Sequence, residues 1–345
     1  MTTGAEYTER ASPPRPRCRR LTGFRVLGTG SYVPDVVVDN QQLFERFGFD
    51  SDWIVKRTGI LERRHARPEQ ATSDLCLEAV NRCIADARVN PRDIDLCLVG
   101  TFTPDYSFPS TACLLQDRLK LVCPAVDLQA ACAGFMYALI TGAAYVLSGA
   151  SDLCLVVGGD CNSRILNPAD IKTYPLFGDG AGAFLIAKGR PDQGILAYSM
   201  GSDGHGADQL IRYACGSRLP AEPKLLAEGK HYMYMDGRAV FRWAVAILND
   251  TIQDVLDARQ MTPGDVDLYI PHQANIRIIN AACDTLKIPR DKVYSNLDRY
   301  GNTSAGSIPL AVDEALAQGR LRSGDLTVLS GFGAGLTWGT ALMRW

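Results

Sequence analysis

The amino-acid sequence predicts an α/β protein made of two related halves, stacked as α/β/α/β/α layers. Three observations carry this. Strand-like and helix-like segments alternate along most of the chain. The strands are continuous apolar runs, as in LCLVG and LCLVVGG, which marks sheets buried on both faces with helices as cover. The chain also repeats itself. PRDIDLCLVG (91–100) matches PGDVDLYIPH (263–272) at an offset of 172, and SGASDLCLVVGG (148–159) matches LRSGDLTVLSGFG (321–333) at 173. That spacing is half of the 345 residues and divides the chain into halves at 23–190 and 191–345, with 1–22 left as a tail. Two such halves packed together give the five layers.

The elements follow in order. MTTGAEYTERASPPRPRCRRLTG is polar, rich in proline and arginine and without an apolar stretch, so it reads as a disordered tail and not a secretory signal. FRVLGTGSYVP is strand then loop, TSDLCLEAVNRCIADA an amphipathic helix and IDLCLVGTF a strand. PSTACLLQDRL is a helix, CPAVDL a strand and CAGFMYALITGAAYVLSG a helix, followed by the strands DLCLVVGGD and AGAFLIAK. In the second half AVFRWAVAILNDTIQDVLDA and ANIRIINAACDTL are helices, and DLYIP and LTVLSG strands. Two glycine motifs read as close-packing turns. GTGS (28–31) lacks the third glycine of a dinucleotide fingerprint, and FGDGAGA (177–183) precedes a strand instead of a helix.

Composition narrows the function. Thirty-six basic and 38 acidic residues give a formal charge of -2, no footprint for nucleic acid. No apolar run is read as long enough to span a membrane. Eleven cysteines without a CxxC point to reduced, mostly buried thiols in a cytoplasmic protein, and no metal site is expected.

Cys132, in DLQAACAGF, stands where a strand passes into a helix. Unpaired N–H groups and the positive end of the dipole converge there, and such thiols fall to roughly 3.5–7.5 in pKa. An acidic, nucleophilic sulfur is therefore expected, against the plain alternative of a buried structural thiol. The 172 offset carries Cys132 onto Ser304, so both halves bring a helix start to one place. His272 follows an apolar strand in LYIPHQANIRI, where open α/β sheets present ligands; the alternative is a helix-capping histidine. Asn302, in DRYGNTSAGS, alone reads as an ordinary helix cap. SGFGAGLTWG could offer backbone amides to an oxyanion. Jointly these supply a thiolate for an acyl group, neutral donors for an enolate and amides for a tetrahedral oxyanion.

AACAGF, PHQANIRI, GNTSAGS and GLTWGTALMRW resemble β-ketoacyl-acyl carrier protein synthase III of the thiolase superfamily. GTGSYVPD, DWIVKRTGI, YSFPSTAC and FGDGAGA match in the same order, from about Phe24 to Trp345. The resemblance implies a thiolase-like duplicated fold and a catalytic Cys132, His272 and Asn302. It implies an oxyanion hole from the amides of Cys132 and Ala334, where the family usually has glycine at the second position. CoA and pantetheine contacts fall on Trp53, Arg57, Arg164 and Asn275, carrier-protein contacts on Arg242 and Arg277. Phe108 matches a residue that the partner subunit of a homodimer lends to the acyl pocket, and its bulk suggests a short primer. The implied reaction loads an acyl-CoA primer on Cys132 and condenses it, with loss of CO₂, with malonyl-acyl carrier protein. Both are substrates; no cofactor is implied. Thiolases carry a second cysteine where this chain has GFGAG, elongating synthases pair the cysteine with two histidines, and hydroxymethylglutaryl-CoA synthase needs a glutamate base. None of these patterns fits. An acyltransferase or ketide condensing enzyme of specialised metabolism is the alternative, and a binding homologue without turnover a third reading.

Overall fold

The computed structural model describes residues 17–345, and its core is two five-stranded sheets facing each other. The first sheet runs in the order Phe24–Tyr32, Gly180–Lys188, Leu153–Asp160, Leu96–Gly100, Ala125–Leu128. The second runs Arg19–Thr22, Gly194–Ser202, Thr337–Arg344, Leu326–Gly333, Leu268–Pro271. In each, antiparallel pairs on one side give way to a parallel pair, Leu96–Gly100 with Leu153–Asp160 and Leu268–Pro271 with Leu326–Gly333. These are the strands that repeat in sequence. The edge strand Ala125–Leu128 has only an isolated bridge, Tyr269 to Val293, as its counterpart in the second half.

Helices Gly134–Ser148 and Ser307–Ala317 fill the space between the sheets, burying Phe135, Leu139, Ile308 and Val312 among Val156, Phe184 and Leu329. Phe135 meets Phe184 edge-on at 4.9 Å, a packing that adds to the roughly 1.5–3 kcal/mol each large apolar side chain gains on burial. Thr72–Ala87 and Thr111–Arg118 cover the outer face of the first sheet, Gly237–Asp257 and Ile276–Leu286 that of the second. The five layers are those predicted. The long outer helix starts where the Asp236 carboxylate accepts the Arg238 and Ala239 N–H groups, both at 3.1 Å.

Three expectations are corrected. The tail was expected to reach residue 22, but Arg19–Thr22 is a strand paired antiparallel with Gly194–Ser202. The N-terminus thus crosses to the sheet of the opposite half; the rest of the tail up to residue 16 lies outside the described residues. A span long and apolar enough to cross a membrane, Ala131–Ser148, does exist. It is apolar because it sits between two sheets, and most of it is buried there. GTGS is close-packed but is not a turn. It lies within the strand Phe24–Tyr32, and a Cβ on Gly30 would stand 2.3 Å from the Cys83 backbone nitrogen. The covering helix Thr72–Ala87 sits that close to its sheet.

Candidate active site

The strand Ala125–Leu128 leads through Ala131, held in the left-handed region at φ 45°, into the 3-10 turn Ala131–Ala133 and then helix Gly134–Ser148. The second half repeats this with Ser304 at φ 53°, the turn Ser304–Gly306 and helix Ser307–Ala317. The backbone match is therefore 173, Ala131 to Ser304, and Cys132 corresponds to Ala305. The 172 offset expected from sequence is right for the first strand pair and one short here. Ser304 is instead the residue that touches the sulfur: its Oγ donates to Cys132 Sγ at 3.2 Å.

Each strand end closes on the opposite helix start. A Cβ on Gly333 would stand 2.7 Å from the Cys132 nitrogen, and one on Gly158 2.3 Å from the Ala305 oxygen. Asp160, fully buried, ties the halves together. Its Oδ1 accepts from Thr101, from the Phe102 and Thr103 N–H groups and from the Thr103 hydroxyl, and its Oδ2 accepts the Ala305 N–H at 3.1 Å. Burial raises this carboxyl above the usual range, against those donors.

His272 ends the strand Leu268–Pro271 and is 1% exposed. Its Nδ1 lies 2.6 Å from Ser307 Oγ, and its ring stands edge-on to Phe332 at 5.1 Å. Burial lowers it to about 3, so the imidazole is neutral. Asn302 Oδ1 accepts the Ser304 N–H at 2.8 Å, which fixes the amide, and among the described residues Nδ2 has no acceptor. The three residues line one narrow tunnel of about 90 Å³, walled by Phe241, Trp243, Ile278 and Phe332. A second cavity of about 610 Å³ adjoins it; Cys132, Phe177 and Leu210 line both.

The sulfur departs from expectation. Burial pushes the Cys132 thiol up to about 12; the Ser304 hydroxyl and its own amide lower it, and Asp160 raises it further. In this pocket the helix start does not produce an acidic thiol, because loss of water costs the anion more than the donors return.

The remaining predicted residues divide. Ala334 lines the larger cavity beside Ala131 and Cys132, and its φ is not positive, so alanine fits a position where the family usually has glycine. Thr337 Oγ1 donates to the carbonyls of both Ala130 and Ala334 at 2.9 Å, tying the two loops together. Asn275 lines the tunnel and donates from Nδ2 to the Arg57 carbonyl at 3.0 Å. This joins the tunnel to helix Ser51–Thr58, where the Arg57 guanidinium lies 5.8 Å from the Trp53 ring. Arg277 lies 5.2 Å over Phe241 in the tunnel wall, and both Arg277 and Arg242 are exposed. Arg164 is not brought to the tunnel. Its Nη2 donates to the Arg67, Pro68 and Gln70 carbonyls. Phe108 is 86% exposed and lines neither cavity of its own chain. Sequence reasoning missed Asp160 and Ser307. Ser307 lies in the motif GNTSAGS, at the first position of the helix that follows the Ser304–Gly306 turn.

Known proteins share this sequence and fold. Residues 126–204 match a family described as 3-oxoacyl-[acyl-carrier-protein (ACP)] synthase III, and residues 256–345 its C-terminal part. A β-ketoacyl-[acyl-carrier-protein] synthase III of Rhodopirellula baltica is 52% identical over 343 residues, covering 94% of this chain and 99% of that protein. The 3-oxoacyl-(acyl carrier protein) synthase III crystal structure from Pseudomonas aeruginosa PAO1 superposes with a TM-score of 0.86 at 39% identity, over 94% of this chain and 98% of that one. The priming β-ketosynthase of the R1128 polyketide pathway gives 0.84 at 33%, over 98% and 99%. With its thiolase fold and with curated relatives matched over nearly its full length, the chain belongs to the β-ketoacyl-acyl carrier protein synthase III family of condensing acyltransferases, which initiate fatty acid synthesis.

Proposed function

We propose that the chain loads a short acyl group from acyl-CoA onto Cys132 and condenses it with malonyl-acyl carrier protein, giving a β-ketoacyl-acyl carrier protein and CO₂. The observation that carries this is the shared tunnel: sulfur, imidazole and a carboxamide whose Nδ2 has no acceptor among the described residues line one narrow passage. In the first half-reaction the Cys132 sulfur, once deprotonated, attacks the thioester carbonyl. The amides of Cys132 and Ala334 receive the oxyanion, and the CoA thiolate leaves and takes up a proton. In the second, malonyl thioester loses CO₂, and the enolate oxygen accepts from Asn302 Nδ2 and from His272. Both are neutral donors, so neither needs to titrate. The carbanion attacks the acyl-cysteine and the sulfur leaves.

CoA enters past Trp53, Arg57 and Asn275, and the carrier protein docks on the exposed Arg242 and Arg277. Arg164 would have to release three carbonyls to join them. The acyl chain occupies the larger cavity. In a homodimer Phe108 would close the partner's cavity; the exposure of Phe108, Val122 and Val126 beside the edge strand Ala125–Leu128 favours such a pairing. We place the enzyme in the cytoplasm, where its substrates are.

The test separates the half-reactions. Cys132→Ser should give no acyl adduct by intact-mass spectrometry with a panel of acyl-CoAs. Asn302→Ala should load normally and release no CO₂ from labelled malonyl-carrier protein. An Asn302→Ala protein that loads poorly but decarboxylates normally overturns these roles. Ketide priming in specialised metabolism is the second reading, favoured by the likeness to the R1128 enzyme. The same panel decides it, by which primers load.

A further inference from the structure

Ser307 is a buried hydroxyl with one partner. Its Oγ lies 2.6 Å from His272 Nδ1, and no other hydrogen bond of its side chain occurs among the described residues. The contact has two forms. If Nδ1 carries the proton and the serine oxygen accepts it, the serine's own O–H is left buried without an acceptor. If the serine donates to a bare Nδ1, its proton is satisfied and only a lone pair is unused. An orphaned buried donor costs about 1–3 kcal/mol, so the second form wins.

We infer that Ser307 is a positioning residue that sets the tautomer of His272, holding Nδ1 as acceptor and the proton on Nε2. The inference rests on the donor role proposed above for His272 and deepens it. With Nδ1 occupied, Nε2–H is the one ring N–H left to face the reacting thioester. No carboxylate touches the ring among the described residues; the side-chain contacts found are Ser307 and Phe332. A carboxylate in the place of Ser307 would accept from Nδ1–H and turn Nε2 into an acceptor, which cannot hold an enolate oxygen. A serine forces the reverse, and it sits at the first position of helix Ser307–Ala317, whose backbone holds it fixed. Imidazole and carboxamide then present the same chemistry, one neutral N–H each. The Asn302 donor is fixed by the Ser304 amide and the His272 donor by the Ser307 hydroxyl, two residues of one seven-residue motif.

The test is ¹⁵N NMR of the full-length protein labelled at histidine. There are only four histidines, and His272→Gln identifies the signal. In the unmodified protein Nε2 should resonate as the protonated and Nδ1 as the unprotonated nitrogen. Ser307→Ala should lose this bias and slow decarboxylation about tenfold, the kinetic equivalent of one hydrogen bond, while acyl loading changes little. Ser307→Thr, which keeps the hydroxyl, should restore both the spectrum and the rate. A protonated Nδ1 in the unmodified protein, or Ser307→Ala with unchanged spectrum and decarboxylation, overturns the inference. Failure of the underlying reading looks different: His272→Gln would then decarboxylate normally whatever Ser307 does.

Discussion

Removing the Ser304 hydroxyl should slow acyl loading without creating a pH optimum. The Cys132 sulfur is buried and held at about 12, against an ordinary 9.0. At pH 7 the attacking thiolate is then on the order of 10⁻⁵ of the enzyme, compared with about 10⁻² for an unperturbed thiol. Ser304 Oγ, 3.2 Å from the sulfur, is the side chain that opposes this. A hydrogen bond to a charged atom contributes about 1.5–3 kcal/mol, so Ser304→Ala should load about 10- to 150-fold more slowly. The assay is single-turnover acyl-cysteine formation from acetyl-CoA, quenched and weighed as intact protein, between pH 6 and 9.5 (about the range in which a thiol titration would show). Both proteins should give log rates that climb with pH at a slope near one and reach no plateau, as parallel lines. A plateau below about pH 8 in the unmodified enzyme would mean that the helix start does ionise the sulfur, and the argument from burial would fail. Equal rates for the two proteins would remove Ser304 from the chemistry.

Two further outcomes follow from the same geometry. Gly333→Ala places a Cβ 2.7 Å from the Cys132 nitrogen and 3.0 Å from its Cβ, so the loop must retreat; the overlap is with backbone, so the folded protein should melt lower and its loading should fall at least tenfold, the equivalent of about 1.4 kcal/mol of barrier, and normal loading would show that the approach is not needed. His272 has its folded pKa lowered to about 3 from an ordinary 6.5, so the unfolded state takes up the proton first and stability is full above 6.5 and lost as pH falls toward about 3. His272→Gln should flatten that loss in denaturant titrations run across this window, and an unchanged acid slope would place its origin elsewhere.

Much of the site was legible because its residues sit at punctuation. His272 stands where an apolar run stops, Cys132 and Asn302 just before a helix start, and a strand end or a helix start is recognisable one-dimensionally. The two short helices Asn40–Phe47 and Ser51–Thr58 went unread, although each opens after an aspartate cap, Asp39 or Asp50, and closes at a left-handed glycine, Gly48 or Gly59. Eight residues are too few for the apolar period to stand out, so only the caps could have signalled them. Arg164 shows the opposite failure. A match of residue type placed it at the ligand, whereas a guanidinium goes to whatever carbonyls lie nearest in space, here those of Arg67, Pro68 and Gln70.

The sequence by itself determined the layers, the doubling and the three residues at the junction, because periodicity and repetition are properties of neighbours along the chain. It could not decide the state of the sulfur. Helix dipole and amide donors are local and can be read from DLQAACAGF; the loss of water is not, since it comes from the closing of Gly333 and Ser304 over Cys132 from the far half. Desolvation depends on everything within several ångströms, and only the packed structure brings residues some 170–200 positions away into that shell. The same holds for the tautomer of His272, which is set by a hydroxyl 35 residues on that has no other acceptor for its proton among the described residues.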